Sequence, residues 1–152
     1  LRDVYKRQLQ GDMPTFAPED LARAVAALHA ADIATLVSPS ADPSDRDNPN
    51  LVKAVCTDDG RCLYFSRACV PHGPGPLLRH VGIYVYRREA LERFVAAPPT
   101  PLEQRERLEQ LRALELGLDI RADSIADFPK GVDGPADLDA ARQVLAGRTL
   151  PR

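Results

Sequence analysis

"LLRHVGIYVYRREALERF", residues 77–94, sets a strand-forming run directly against an amphipathic, helix-forming one. "HVGIYVY" is rich in β-branched and aromatic residues, which fit a pleated and buried surface. "REALERFVAA" reads as a helix that Pro98-Pro99 ends. A strand passing at once into a helix is the repeating step of α/β architecture. The stretch also raises a question about chemistry. Arg79 and His80 stand at the mouth of the strand, either as solvated charges or as groups that meet an anionic ligand.

The flanking sequence keeps the same alternation. Upstream, Pro18 opens a helix with Glu19 and Asp20 in its first turn and Leu21, Val25 and Leu28 on one face. "IATLVS" (33–38) is a β-type run, and "PSADPSDRDNPN" (39–50) reads as a polar loop. "LVKAVCT-DDG-RCLYFSR" (51–67) predicts a β-hairpin around Asp59-Gly60, and "ACVPHGPGP" a loop. Downstream, "TPLEQRERLEQLRALELG" (100–117) predicts one helix, capped near Thr100 and stopped by Gly117. "DIRADSI" is a modest strand. "VDGPADLDAARQVLAG" is a turn feeding a last helix with Pro135 near its start and Gly147 after its end. Strands and helices alternate except at the hairpin. The fold class expected is an α/β sandwich with a mostly parallel or mixed sheet.

The chain has 152 residues, enough for one domain with a real core. A net charge of −2 leaves no excess of Lys and Arg to neutralise phosphates, which argues against a general nucleic-acid binder. No apolar run approaches the roughly 18 residues of a membrane span, and no signal-peptide core is visible. A cytoplasmic address is the default expectation. Cys56, Cys62 and Cys69 lack metal-ligand spacing. A two-residue Asp59-Gly60 turn would set Thr57 opposite Cys62 and Cys56 opposite Leu63, so reduced thiols rather than a bridge are expected. "LRDVYKRQ" (1–8) does not read as a strand at the centre of a parallel sheet, which should be nearly continuous Val, Ile and Leu. Residues 1–8 are accordingly read as a non-native or unrelated leader.

Four constellations could carry chemistry. Gln10-Gly11-Asp12 precedes a helix, at the end of the sheet where open α/β folds bind ligands. Asp133 lies in a turn before the last helix. Two aspartates from separate turns could share Mg²⁺, although each alone also fits a turn or cap residue. Arg67, Arg79 and His80 form a cationic set, since Arg forks suit a carboxylate or phosphate. Glu109 and Gln110 lie in "RLEQLR". At about 100° per residue, Glu109 falls roughly 160° from Leu111, on the polar face.

In combination, "QGD", "NPNLVKAV", "DGRCLYFSRACVP", "LRHVGIYVYR", "PLEQRERLEQLR" and "GVDGPADL" resemble, in this order, the 3-deoxy-manno-octulosonate (KDO) cytidylyltransferases, or CMP-KDO synthetases. The resemblance runs from about Leu9 to Leu145 and is most specific in "LYFSR", "RHVGIYVYR" and "LEQLR". It implies a nucleotide-diphospho-sugar-transferase-like α/β/α fold. It implies transfer of CMP from CTP to KDO, with release of pyrophosphate, for lipopolysaccharide synthesis by a cytoplasmic homodimer. Asp12 and Asp133 match the family's catalytic, Mg²⁺-binding aspartates. By the same resemblance, Arg67 would pair with the KDO carboxylate and His80 would donate to the ligand. Tyr84 would line the pocket, and Gln10, Glu109 and Gln110 would hydrogen-bond sugar hydroxyls. Glu109 would then face a wet cleft, and Arg79 is left as solvated. The hairpin from Leu51 to Arg67 would support dimer contacts.

The match has departures. The family's phosphate-cradling loop and cytosine-reading segment have no counterpart in residues 1–8, so residues 9–152 are read as the C-terminal, sugar- and metal-binding part of such a domain. A chain of this kind is expected to be inactive alone. Met13 stands where the family usually has Glu, and Gly134 where Thr is usual. "HGPGPLL" is a shorter loop than is typical. Two other readings stay open: a cytidylyltransferase for another acidic sugar, such as an amino-KDO or a sialic acid, and a non-catalytic, dimerising α/β remnant.

Overall fold

The computed structural model describes residues 5–9, 13–129, 131–132 and 134–146. In chain order the elements are β1 (Tyr5–Leu9), α1 (Pro18–Ala27), β2 (Ile33–Ser40), α2 (Pro43–Arg46), β3 (Lys53–Cys56) and β4 (Cys62–Ser66). They continue with β5 (Leu77–Arg87), α3 (Arg88–Ala96), α4 (Pro101–Glu106), α5 (Gln110–Glu115), β6 (Ile120–Ser124) and α6 (Pro135–Ala146). β5 organises the sheet. Its order is β4-β3-β5-β2-β6, with β1 also paired to β5. β2 and β6 run parallel, and the other pairings are antiparallel, so the sheet is mixed.

Side chains alternate across this sheet and build two cores. On one face Ile33, Val37, Ala54, Phe65 and Tyr86 pack with Ala90 of α3 and with Leu108, Leu111 and Ala113 around α5. On the other, Ala34, Leu36, Val81, Ile83 and Val85 pack with Met13, with Ala24 of α1, and with Leu28 and Ile125. Helices therefore cover both faces, which gives the expected α/β/α layering.

Several local expectations change. Tyr5–Leu9, overlapping the stretch read as a leader, is an antiparallel edge partner of β5, from Tyr5↔Arg87 to Leu9↔Ile83. Lys6 and Arg7 suit such an edge, where charge discourages pairing with other chains. Within the polar loop, Pro43–Arg46 forms the single turn of α2, capped by Asp42 accepting from Ser44 N at 2.9 Å. The single helix expected over residues 100–117 is two, α4 and α5. Arg107 between them takes a left-handed conformation, with φ 57°. Gly117 ends α5 as expected, with φ 73°.

The hairpin forms, but its register differs from the two-residue turn. Gly60 N donates to Thr57 O at 2.9 Å and Thr57 N to Arg61 O at 2.9 Å, so the loop holds three residues. Gly60 takes φ +85°, the left-handed position that such loops reserve for glycine. Cys56 consequently pairs with Cys62, and their sulfurs lie 3.6 Å apart. Both, like Cys69, are free thiols, as expected.

Gly60 also ties the hairpin to β6, because Ala122 N donates to Gly60 O at 2.8 Å. A Cβ at residue 60 would lie 2.6 Å from Ala122 O, whereas at Gly73, with φ +94°, it would meet nothing within 4 Å. Urea unfolding should therefore show Gly60→Ala destabilised by about 2–3 kcal/mol, through backbone strain plus the clash. Gly73→Ala, with strain alone, should lose about 1 kcal/mol. Equal losses would show that the Gly60–Ala122 approach does not constrain the fold.

Candidate active site

The aromatic side of β5 forms the floor of a cleft of about 500 Å³. His80, Gly82, Tyr84 and Tyr86 contribute from β5, and Arg67 from the end of β4. Arg107, Leu108, Glu109 and Gln110 form the α4–α5 side, while Asn48, Asn50 and Leu51 precede β3. Five candidates named from the sequence, Arg67, His80, Tyr84, Glu109 and Gln110, thus share one space. Gln10, Asp12 and Asp133 lie outside the described residues. Gln8, Met13 and Gly131, near them in the chain, line the cleft. A second cleft of about 450 Å³ lies between α1 and α6 and is lined by none of the candidates among the described residues.

Arg67 is half-buried and held on two sides. Its Nε donates to Glu106 O at 3.1 Å and its Nη1 to Pro49 O at 2.9 Å. Glu106 also accepts from Arg67 N at 3.0 Å and from Ser66 Oγ at 2.8 Å. The guanidinium is aimed by carbonyls but neutralised by no carboxylate within ion-pair distance among the described residues. Two of its five N–H groups are used in these contacts, so three remain for a ligand.

Beneath it, Lys53 is fully buried, and its ammonium donates to the carbonyls of Asn48 and Arg67. Burial pulls its pKa below the usual lysine value, an effect that Cys69, Asp45 and Asp47 oppose. This cation supports the two segments from which Asn48 and Arg67 reach the cleft.

His80 is buried, and its Nε2 lies 2.9 Å from Thr35 Oγ1. Its ring meets Phe65 edge-on at 5.0 Å and Tyr84 at 5.3 Å. Burial lowers its pKa to about 4, so the ring is neutral at ordinary pH. Burial likewise raises the phenol of Tyr84. Arg79 alternates to the other side of β5 and is not solvated. It donates to Asp45 Oδ2 at 3.3 Å and Ser38 Oγ at 3.1 Å, and it lies over the Phe128 ring.

Glu109 is exposed on the cleft wall and Gln110 is buried beside it, so a solvated face and a cleft wall are the same surface. Their placement depends on the break at Arg107 and on a buried bidentate pair. Arg112 donates through Nε to Glu103 Oε2 at 2.7 Å and through Nη2 to Oε1 at 2.5 Å. Thr35, Lys53, Glu106 and Arg107 escaped the sequence reading. For Thr35 and Lys53 the available signal was a polar residue inside an apolar strand run.

The arrangement can hold a polyhydroxylated anion. It offers one aimed guanidinium for charge, a second Arg at the rim, and neutral or single-acid groups for hydroxyls. Among the described residues no group of three or more metal-ligating side chains occurs. No helix there is long and apolar enough to cross a membrane.

Comparison with known proteins finds matches in both sequence and fold. The cytidylyltransferase family pattern matches residues 3–120. A 3-deoxy-manno-octulosonate cytidylyltransferase of Chelativorans sp. (strain BNC1) is 54% identical over 95% of this chain and 61% of its own length. One from Agrobacterium fabrum is 49% identical over 96% of this chain and 61% of its own. The solved structure of a CMP:2-keto-3-deoxy-manno-octonic acid synthetase complexed with CTP superposes with a TM-score of 0.86. It is 35% identical, over 93% of this chain and 61% of that one. A glucose-1-phosphate thymidylyltransferase of Bacillus anthracis, 12% identical with a TM-score of 0.63, shares the fold alone. The chain thus spans about 61% of the length of these relatives.

The buried imidazole makes stability depend on pH. Below 6.5 the unfolded chain binds a proton at His80 that the folded chain refuses until about 4, so stability falls as pH drops through that window. Between about pH 7 and about pH 5 this linkage should remove roughly 2 kcal/mol. Urea titrations should show that slope in the unaltered chain and its loss in His80→Gln. Matching slopes in both would exclude His80 as its source.

Proposed function

This chain belongs to the cytidylyltransferase family, and on that premise we propose that it carries the sugar-acid site of a 3-deoxy-manno-octulosonate cytidylyltransferase. The reaction is transfer of CMP from CTP to KDO with release of pyrophosphate. The observation that carries the reading is the Arg67 guanidinium. It is held by backbone carbonyls, has no acid partner among the described residues, and lines the same cleft as His80, Tyr84, Glu109 and Gln110. An uncompensated cation in a polar cleft calls for an anionic ligand, and a sugar carboxylate fits its planar fork.

In this mechanism Arg67 takes the carboxylate, which lies beside the reacting carbon of KDO, and so orients the anomeric hydroxyl. Glu109, Gln110 and Gln10 hold the other hydroxyls, and Tyr84 closes one side. The contribution is alignment and charge neutralisation, without a covalent intermediate on the protein. Asp12 and Asp133 are proposed to hold Mg²⁺. Two carboxylates suit a hard cation, and Met13 and Gly131 nearby line the cleft. When bound, the ion would supply charge neutralisation at the phosphates. The proposal extends to a cytoplasmic homodimer acting in lipopolysaccharide synthesis. The hairpin supports the dimer contact, with Leu63 of β4 48% exposed.

Calorimetry with KDO, Mg²⁺ and CTP tests the sugar site. Arg67→Ala should weaken KDO binding by about 1.5–3 kcal/mol, roughly 10- to 150-fold, because a charge-assisted contact is lost. Pyrophosphate release measured beside it reports turnover. KDO binding that is equal in both chains would refute the assignment of Arg67. Absence of any binding would favour a non-catalytic interaction module.

A further inference from the structure

β2 and β5 meet out of step. Thr35 pairs with Tyr84, but Leu36 pairs with Val81, so Gly82 and Ile83 have no partner residues on β2. Thr35, 0% exposed, fills this gap with its side chain. Its Oγ1 lies 2.8 Å from Ile83 O, 3.3 Å from Val81 O and 2.9 Å from His80 Nε2. A threonine hydroxyl has one hydrogen, and carbonyl oxygens offer only lone pairs. An oxygen–oxygen separation of 2.8 Å places that hydrogen toward Ile83 O. The contact with the imidazole then needs a hydrogen from the ring, so Nε2–H donates to Oγ1.

A neutral imidazole protonated at Nε2 keeps a lone pair at Nδ1. Nδ1 has no partner among the described residues, nor is it among their buried, unpartnered atoms, so it opens to the cleft that His80 lines. We propose that Thr35 is a positioning residue that locks His80 as the Nε2–H tautomer, so that His80 accepts a hydrogen bond from a sugar-acid hydroxyl rather than donating to the carboxylate. The ligand half of this inference rests on the sugar-site reading; the tautomer half stands on the geometry alone. It reverses the direction of the hydrogen bond that the family resemblance implies, and it divides the ligand's groups between two side chains. Arg67 takes the charge. His80 takes a hydroxyl.

Nitrogen NMR on the histidine-labelled 152-residue chain tests the lock. His80→Gln assigns the His80 signals against those of His29 and His72. The expected result at neutral pH is a protonated Nε2 and a bare Nδ1, without any ligand; a protonated Nδ1 overturns the inference. Thr35→Val should bring in the other tautomer and weaken KDO binding about tenfold, and Thr35→Ser should restore both. A tautomer unchanged in Thr35→Val would make Thr35 merely structural and overturn the positioning role. If Thr35→Val does not fold, the unaltered chain and Thr35→Ser decide, since both must show the Nε2–H form. The expected tautomer together with no KDO binding, in Mg²⁺ and CTP, would sink the sugar-site reading and leave the lock supported.

Discussion

Everything at the cleft floor depends on the two-residue interruption in the β2–β5 ladder. In an even strand His80 and Tyr84 would stand about 13 Å apart, four residues at the usual rise. Here their ring centroids are 5.3 Å apart. Bulges bend a strand and re-aim its side chains, and they leave backbone groups that need other partners. The Thr35 hydroxyl supplies one from across the sheet. Gly82 lies between the two rings in sequence and adds no side chain to the space that they share. A chain of aromatic contacts then runs from Phe65 through His80, Tyr84 and Tyr86 to Phe94, joining the hairpin to α3.

The other walls are fastened to this floor by buried ionic groups rather than by apolar packing alone. Glu106 at the end of α4 receives the backbone and hydroxyl of β4's last turn, and its carbonyl receives Arg67. Glu103 and Arg112 close α4 onto α5 across the left-handed Arg107, with Arg112 also stacked over Phe94. Buried pairs of this kind add little net stability, because desolvation offsets much of their attraction. They do penalise wrong geometry, since losing one partner strands the other. That is a sensible use of charge around a cleft whose side chains must hold fixed directions.

The larger elements were legible because their signals are local. Pro18, Pro101 and Pro135 open helices where a missing N–H costs nothing, and the β5 run could only be a strand. The errors were decided by context. Asp59-Gly60 suits a two-residue turn equally well; the three-residue loop with Gly60 left-handed is held by Thr57 within the hairpin and by Ala122 of β6. Arg107 breaks a helix that periodicity would continue, because arginine carries no sign of the left-handed conformation that the Glu103–Arg112 clamp accompanies. Arg79 read as a solvent charge and Lys53 was passed over, yet Arg79 is held by Ser38 and Asp45 and Lys53 by the carbonyls of Asn48 and Arg67. Resemblance to a family brought Arg67, His80, Tyr84, Glu109 and Gln110 together. Periodicity placed Glu109 correctly on a polar face, but it had no means of saying that the face borders a cavity.

The charges of the cleft follow from what each element can stabilise. A central strand cannot keep an imidazolium, because burial favours the neutral ring by more than any partner present returns. The positive charge therefore sits where strands and helices begin or end: Arg67 follows β4, Lys53 opens β3, and Arg107 stands at the break after α4. A negatively charged ligand is then drawn toward the loop side of the cleft, while the sheet side presents groups suited to hydroxyls. The asymmetry of the fold, loops on one wall and sheet on the other, thereby becomes an orientation for any acid sugar that enters.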